Sequence, residues 1–303
     1  MFEILRATNI DFIGKKYVTL LVTGILSVLG IVAIIQIARG EANLGIDFAG
    51  GTSVQVRFEK PVSLQDVRSA LEAEGIRDFD LQDIPAENKV LIRTKKSEGD
   101  LNRIADSITS ALSRHIGDNP YVIDSTTAIG PKVGSKLRND AAMAIVMAAI
   151  GILIYVAFRF KFKFGVGATI ATFHDVVAVL AIFYLLGKEI NLIVVSALLT
   201  IAGYSLTDTV VVFDRIRENL SVRVKESLAG VINKSINEVL SRTIITSLTT
   251  FLAAAAMFFL GGEVIHDFAL AIMLGILIGT YSSIFVASPI LLLWKKETTF
   301  AKK

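Results

Sequence analysis

Six apolar stretches divide this chain, and each approaches or exceeds the ~20 residues an α-helix needs to cross a hydrocarbon core about 30 Å thick. They run from Val18 to Ile37, Ala141 to Phe158, Phe164 to Leu186, Leu192 to Phe213, Ile236 to Leu260 and Phe268 to Trp294. Six transmembrane helices follow. The last stretch is long enough to tilt or to extend past the membrane, and its Pro289 falls near the end, where a missing backbone donor costs least.

Between the first and second stretches the periodicity changes. Thr52 to Phe58 alternates like a strand, and Ser63 to Glu74 begins with a capping serine and stops at Gly75, as an amphipathic helix does. Phe79 to Ile84 and Val90 to Thr94 are two short strands around a Pro85–Asn88 turn. Leu101 to His115, between Asp100 and Gly117, is a second amphipathic helix, and Tyr121 to Ile129 is a closing strand. This βαββαβ order predicts a ferredoxin-like α+β sandwich, a fold that by itself specifies no activity. The expected organisation is residues 1–38 as N-terminus and first membrane helix and 39–138 as the sandwich domain. Residues 139–294 hold helices two to six with a basic loop near 214–235, and 295–303 form a tail.

Composition agrees with the pattern: 303 residues, 53% hydrophobic and 19% charged, with a mean hydropathy of +0.61, describe an integral membrane protein. Basic residues gather in alternate short loops: Arg6, Lys15 and Lys16; Arg159, Lys161 and Lys163; Arg215, Arg217, Arg223 and Lys225; and Lys295, Lys296, Lys302 and Lys303. The opposite short loops offer only Lys188. The positive-inside rule then puts both termini in the cytoplasm and residues 39–138 outside it. The first apolar stretch exceeds a signal-peptide core and lacks a convincing small-x-small cleavage site, so it reads as an uncleaved anchor. Topology accounts for the net charge of +3. No basic stripe interleaved with aromatics indicates nucleic-acid binding.

The chain has no cysteine, which excludes disulfides, thiolate metal sites and a cysteine nucleophile. Gly45 to Thr52 (GIDFAGGT) reads as a turn with a bulge entering the first strand, because no following helix offers an amide-lined anion site. Ile129 to Lys136 (IGPKVGSK) misses the phosphate-binding G-x-x-x-x-G-K-[ST] spacing. The chain reads as something other than an enzyme, with no cofactor and no metal; any work it does draws energy from the membrane or a partner.

The chemistry lies in polar residues inside the apolar stretches. Asp208 sits in the fourth, where an ionised side chain costs about 2.5–3.5 kcal/mol on insertion scales and usually marks an ion or proton path. Ser196, Thr200, Tyr204 and Asp208 recur every four residues there. On the fifth stretch Arg242, Thr246 and Thr249 or Thr250 recur likewise, with Thr243 and Ser247 nearby, so the two stripes are expected to face each other across a hydrated seam. Interhelical hydrogen bonding explains the hydroxyls, though not an ionisable pair. His174-Asp175 in the third stretch has two readings: buried polar groups satisfied across the bundle, or members of a proton relay. Ala271, Gly275, Gly279, Ser283 and Ala287 place a small residue at every fourth position of the sixth stretch, a close-packing face for another helix of this chain or of a partner.

The run from Gly203 to Asn219 (GYSLTDTVVVFDRIREN) resembles the signature of the SecF family, the smaller membrane subunit of the bacterial SecD-SecF export complex within the RND superfamily. GIDFAGGT at Gly45, IGPKVGSKL at Ile129, FHDV at Phe173, SRTIITSLTT at Ser241 and FLGG at Phe259 resemble that family's landmarks in the same order. The resemblance implies a six-helix half-unit that pairs with SecD in the bacterial inner membrane. It implies proton-driven assistance to preproteins leaving the SecYEG channel, with SecA and YajC/YidC alongside. It maps the proton path onto Asp208, Arg242 and Thr246, while His174 and Asp175 are further candidates from their own place in the third stretch. Gly203, Tyr204, Ser205, Asp214, Arg215, Gly50 and Gly51 become structural motif residues. Thr207 departs from the asparagine usual before the aspartate, and a further acidic group is expected on SecD. A small-molecule or lipid exporter subunit of the same superfamily and a non-transporting scaffold are the alternative readings.

Overall fold

The computed structural model describes residues 8–95, 101–160, 162–222 and 226–293. It divides into two compact units, one of residues 1–42, 143–188 and 193–303, the other of residues 43–142 and 189–192.

The second unit is built on a four-stranded antiparallel sheet in the order β2-β3-β1-β4, from β1 (Gly51–Phe58), β2 (Phe79–Ile84), β3 (Lys89–Lys95) and β4 (Tyr121–Ile129). Alternation along β1 buries Val54, Val56 and Phe58, and the register sets Val54 opposite Ile92 and Val56 opposite Val90. Helices α3 (Leu64–Ala73) and α4 (Leu101–His115) cover that face with Val67, Leu71, Ile108, Ala111 and Leu112. Ser63 caps α3 by accepting the Asp66 N–H at 3.1 Å, satisfying one of the orphan donors of the first turn. This is the expected βαββαβ sandwich.

Sequence reasoning missed three details. The GIDFAGGT stretch holds one helical turn, α2 (Ile46–Ala49), before the two glycines instead of a simple turn. The bulge lies further on: Gln55 pairs with Ser125 and Val56 with Ile123, leaving Asp124 as the extra residue of β4. Residues 189–192 also join this unit. Leu44 and Ile190 form a parallel bridge, Asn43 O accepts the Ile190 N–H at 2.8 Å, Arg93 pairs with Glu189, and Asp47 accepts the Leu192 N–H at 3.0 Å.

The first unit carries long apolar helices. Among the described residues six helices are long and apolar enough to span a membrane, so the protein is membrane-embedded. They are α1 (Lys16–Arg39), α5 (Pro131–Arg159), α6 (Phe162–Leu185), α7 (Leu192–Val222), α8 (Leu228–Leu260) and α9 (Glu263–Ser282). α9 continues into a π-helical turn, Ser283–Ala287, and then a short helical piece, Ser288–Ile290. Pro289 accounts for the wide turn: it lacks an N–H and its ring would collide with the carbonyl four residues earlier, so the backbone opens ahead of it. The proline expected to cost little near the end of the sixth apolar stretch therefore sits beside a local distortion of the helix. α5 starts at Pro131, well before the apolar run it contains, and Pro at the first turn of a helix gives up no intrahelical bond.

Small residues let these helices approach. A Cβ on Gly30 of α1 would collide with Val177 of α6. One on Gly275 would collide with Ile201 of α7, and one on Gly279 would sit 3.1 Å from Ser205 Cβ. The small-residue face of the sixth stretch thus closes on α7 of the same chain. Near the start of α8, Asn233 and Asn237 hold the N-terminal segment: Asn237 Oδ1 accepts from Ile10 N–H at 2.8 Å, and Asn233 Oδ1 accepts from Phe12 N–H at 2.8 Å. Phe12 then packs edge-on against Phe285 of the π-helical turn, with ring centroids 5.6 Å apart.

Candidate functional site

Helical spacing puts Tyr204, Thr207, Asp208 and Val211 on one face of α7, and Arg242, Thr243 and Thr246 on one face of α8. These seven residues line one cleft of about 240 Å³. At ~30 Å³ per water it has room for several. Asp208 is 6% exposed, and its Oδ2 accepts from Ser247 Oγ at 3.2 Å. Among the described residues no ion pair joins Asp208 to Arg242, although both line this cleft. Arg242 is exposed within the chain while Asp208 is buried, so the two ends of the cleft differ in access.

The hydroxyls around the pair are occupied unevenly. Thr246 donates to its own helix backbone, at Arg242 O or Thr243 O, and Thr207 does the same toward Gly203 O at 3.3 Å. Tyr204 Oη and Thr243 Oγ1 are buried with no hydrogen-bond partner among the described residues. Both residues line the cleft, so water entering it can complete their hydrogen bonding. Ser196 and Thr200, higher on the same stripe of α7, do not line the cleft; Thr200 donates to Ser196 O.

His174 and Asp175 lie elsewhere. Asp175 is fully buried and its Oδ2 accepts from Ser205 of α7 and from Ser282 of α9, the latter at 2.8 Å. His174 Nδ1 meets Asp175 Oδ1 at 3.1 Å, while His174 Nε2 is buried without a partner among the described residues. This node ties α6, α7 and α9 together. The structure thus gathers Asp208, Arg242, Thr246 and Tyr204 in one cleft and sets His174 and Asp175 in a second polar cluster, joined to α7 by Ser205.

Sequence reasoning noted Ser247 only as a neighbour and missed Thr280 and Ser282. Ser247 Oγ lies 2.7 Å from Thr280 Oγ1, so Asp208 reaches α9 through two hydroxyls. The signal was available: Thr280, Tyr281, Ser282 and Ser283 are four consecutive hydroxyls in a lipid-spanning stretch.

The remaining motif residues differ in their contacts. Arg215 donates to Glu238 of α8 at 2.6 Å and to Glu218 at 2.7 Å, and Asn219 donates to Glu238 at 2.7 Å, clamping α7 to α8. Asp214 is exposed, 3.8 Å from Arg159. Gly203 is exposed and a Cβ there would meet open space. Gly50 and Gly51 have φ of 76° and 142°. A side chain at Gly51 would strike the Thr94 carbonyl, so the strand entry requires glycine there.

Comparisons with known proteins give the family of this chain. Residues 108–297 match the family described as protein export membrane protein SecD/SecF, C-terminal, and residues 42–62 match the SecD/SecF GG motif. The chain is 60% identical over 300 residues to the protein translocase subunit SecF of Thermodesulfovibrio yellowstonii, covering 98% of this chain and 99% of that one. It is 45% identical to the SecF of Endomicrobium trichonymphae, covering 97% of this chain and 94% of that one. It is similar to the crystal structure of SecDF, a translocon-associated membrane protein from Thermus thermophilus, with a TM-score of 0.83 and 37% identity over 95% of this chain. It spans 39% of that longer SecDF chain. On this evidence the chain belongs to the SecF family of protein-export membrane proteins.

Proposed function

We propose that this protein is the SecF-like half of a SecD-SecF complex in the bacterial inner membrane. With SecD it uses the proton motive force to assist preproteins through the SecYEG channel, beside SecA and YajC/YidC. Both termini are cytoplasmic, and residues 39–138 lie outside. The observation that carries this reading is a buried carboxylate, Asp208, in a polar cleft shared with Arg242 and with the hydroxyls of Tyr204, Thr243 and Thr246. A scaffold has no use for such a group, whereas a proton-driven device needs one that can gain and lose charge inside the bilayer.

Asp208 carries the proton, and Arg242 and Thr246 shape the cleft through which it is reached. Each charge crossing 100 mV supplies about 2.3 kcal/mol, enough when repeated to bias a two-state bundle. α5 leaves almost all of its apolar window exposed within the chain, a face suited to lipid and to the SecD partner that completes the conduit. No covalent chemistry is assigned to the chain.

The test is export into inverted vesicles, with and without an uncoupler. Asp208→Asn preserves size and hydrogen bonding but removes titration; these vesicles should keep the complex assembled and lose the uncoupler-sensitive part of export. Arg242→Ala should do much the same. Full uncoupler-sensitive stimulation in Asp208→Asn vesicles would refute proton coupling at this site and favour the scaffold.

A further inference from the structure

We infer that Ser247 and Thr280 form a reversible hydroxyl relay that reports the protonation of Asp208 to the backbone of α9, one turn from the Asp175 node. Both are thus positioning residues for the motion of that helix. The inference rests on the proton-carrying role proposed for Asp208.

The argument is a count of protons. Ser247 Oγ lies 3.2 Å from Asp208 Oδ2 and 2.7 Å from Thr280 Oγ1. Thr280 Oγ1 in turn lies 2.8 Å from Ile276 O. Each hydroxyl has one proton to donate and lone pairs to accept with. When Asp208 is ionised it can only accept, so Ser247 donates to it, Thr280 donates to Ser247, and Ile276 O keeps its backbone bond alone. When Asp208 holds a proton on Oδ2 it donates to Ser247; Ser247 then donates to Thr280, and Thr280 donates to Ile276 O. No proton leaves its oxygen along the relay; each hydroxyl only rotates. The far end nevertheless changes, because in the second state the Thr280 hydroxyl competes with the backbone N–H for the Ile276 carbonyl, a back-bond that loosens and bends helices.

What lies beside that carbonyl makes the change consequential. Two residues after Thr280, Ser282 donates to Asp175, and Ser205, three residues before Asp208 on α7, donates to the same carboxylate oxygen. Gly279 packs on Ser205. Immediately beyond begins the π-helical turn Ser283–Ala287, in which Ser288 Oγ donates to Ser283 O at 2.8 Å. Wide turns of this kind are rare in helices and frequently occur at functional sites. The ionisable groups around the relay are Tyr204 and Arg242 in the cleft, His174 and Asp175 at the node, and Tyr281, whose hydroxyl donates to Thr19 O of α1 at 2.8 Å.

The test uses the assembled complex with its SecD-like partner in lipid vesicles and reads amide hydrogen exchange in the peptide covering residues 276–290. An asparagine at position 208 can donate from its amide as the neutral acid would, so Asp208→Asn should fix the relay in its second state and speed exchange there by about fivefold, the equivalent of one ordinary hydrogen bond. Thr280→Val, which keeps the shape and removes the hydroxyl, should abolish that response to Asp208→Asn, while Thr280→Ser should restore it. A response that persists in Thr280→Val, or no response to Asp208→Asn at all, overturns the relay. Uncoupler-sensitive export is measured on the same vesicles. If Asp208→Asn leaves export intact while exchange responds and Thr280→Val blocks the response, the relay stands and the proton-driven reading fails. If export falls and exchange is unmoved, the reverse holds.

Discussion

The bulge residue Asp124 shows how one extra residue can make an electrostatic cluster. Displaced from the β1–β4 register, its carboxylate meets Arg57 of β1 and, at 3.1 Å, Lys89 of β3; Lys89 also pairs with Glu87. The hydrogen bond from Arg57, helped by Lys89, holds the Asp124 carboxyl below the usual carboxylate range, and the bonds to Glu87 and Asp124 push the Lys89 ammonium up. A carboxyl whose folded-state value is depressed stabilises the fold above its unfolded value, near pH 4, and loses that contribution as pH falls through the folded value. Lys89 has the opposite sign: its contribution is complete below its unfolded value and disappears only as strong alkali titrates the folded group. The isolated domain of residues 39–138 should therefore melt at a steady temperature from neutral pH down to about 5 and progressively lower beneath about 4. Asp124→Asn should flatten part of that acid slope. An unchanged slope in the Asn variant would show that Asp124 contributes nothing. Nothing in the sequence marked Asp124, because its position depends on a bulge that only strand register reveals.

At the scale of elements, alternation exposed β1 and β3 clearly, since Val54, Val56, Val90 and Ile92 are the very side chains the sheet buries. The strip 189–192 was not legible: its bridge to Leu44 joins residues nearly half the chain apart, and it carries no periodicity of its own. The candidate cleft was half legible, because a four-residue stripe names the face of a helix but not which helix it meets. Ser196 and Thr200 share the stripe of Asp208 yet lie outside the cleft, whereas Thr280 and Ser282 entered through a helix whose small-residue face drew attention to packing. That packing face yields its own prediction. Gly275→Val sets a branched side chain against Ile201, and overpacking of this kind typically costs about 1–3 kcal/mol. In detergent the variant should melt at lower temperature, whereas Gly203→Ala, with open space around its Cβ, should be near neutral. Equal melting of both variants would mean the α7–α9 approach is not as close as described. The domain on β1–β4 should also fold as an isolated fragment of residues 39–138, because its core cluster lies wholly within that range. Circular dichroism should report mixed helix and strand with a cooperative melt, and a disordered fragment would show that residues 189–192 or the membrane are required.

For the whole molecule, the decisive quantity is orientation, because a proton path does useful work only if its cleft opens to defined sides. Six helices long and apolar enough to cross place the two termini on the same side if all of them span. The proposed side rests on the basic residues: Lys15 and Lys16 at the start of α1, Arg159 to Lys163 around the α5–α6 junction and Arg215 to Lys225 from the end of α7 onward, since cytoplasmic segments retain such residues during insertion. In the proposed orientation the clamp made by Arg215, Glu218, Asn219 and Glu238 lies at the cytoplasmic end of α7 and α8, two turns from Asp208. The chain has no cysteine of its own, so single cysteines report cleanly. Arg77→Cys, exposed in the sandwich domain, should react with a membrane-impermeant maleimide in intact spheroplasts; Ser221→Cys, exposed after the clamp, should react only once the membrane is permeabilised. The reverse pattern would invert the topology, move the Arg215 clamp to the outer face and require protons to enter the Asp208 cleft from the opposite side. Labelling of both in intact spheroplasts would mean that the helices between them do not cross an odd number of times.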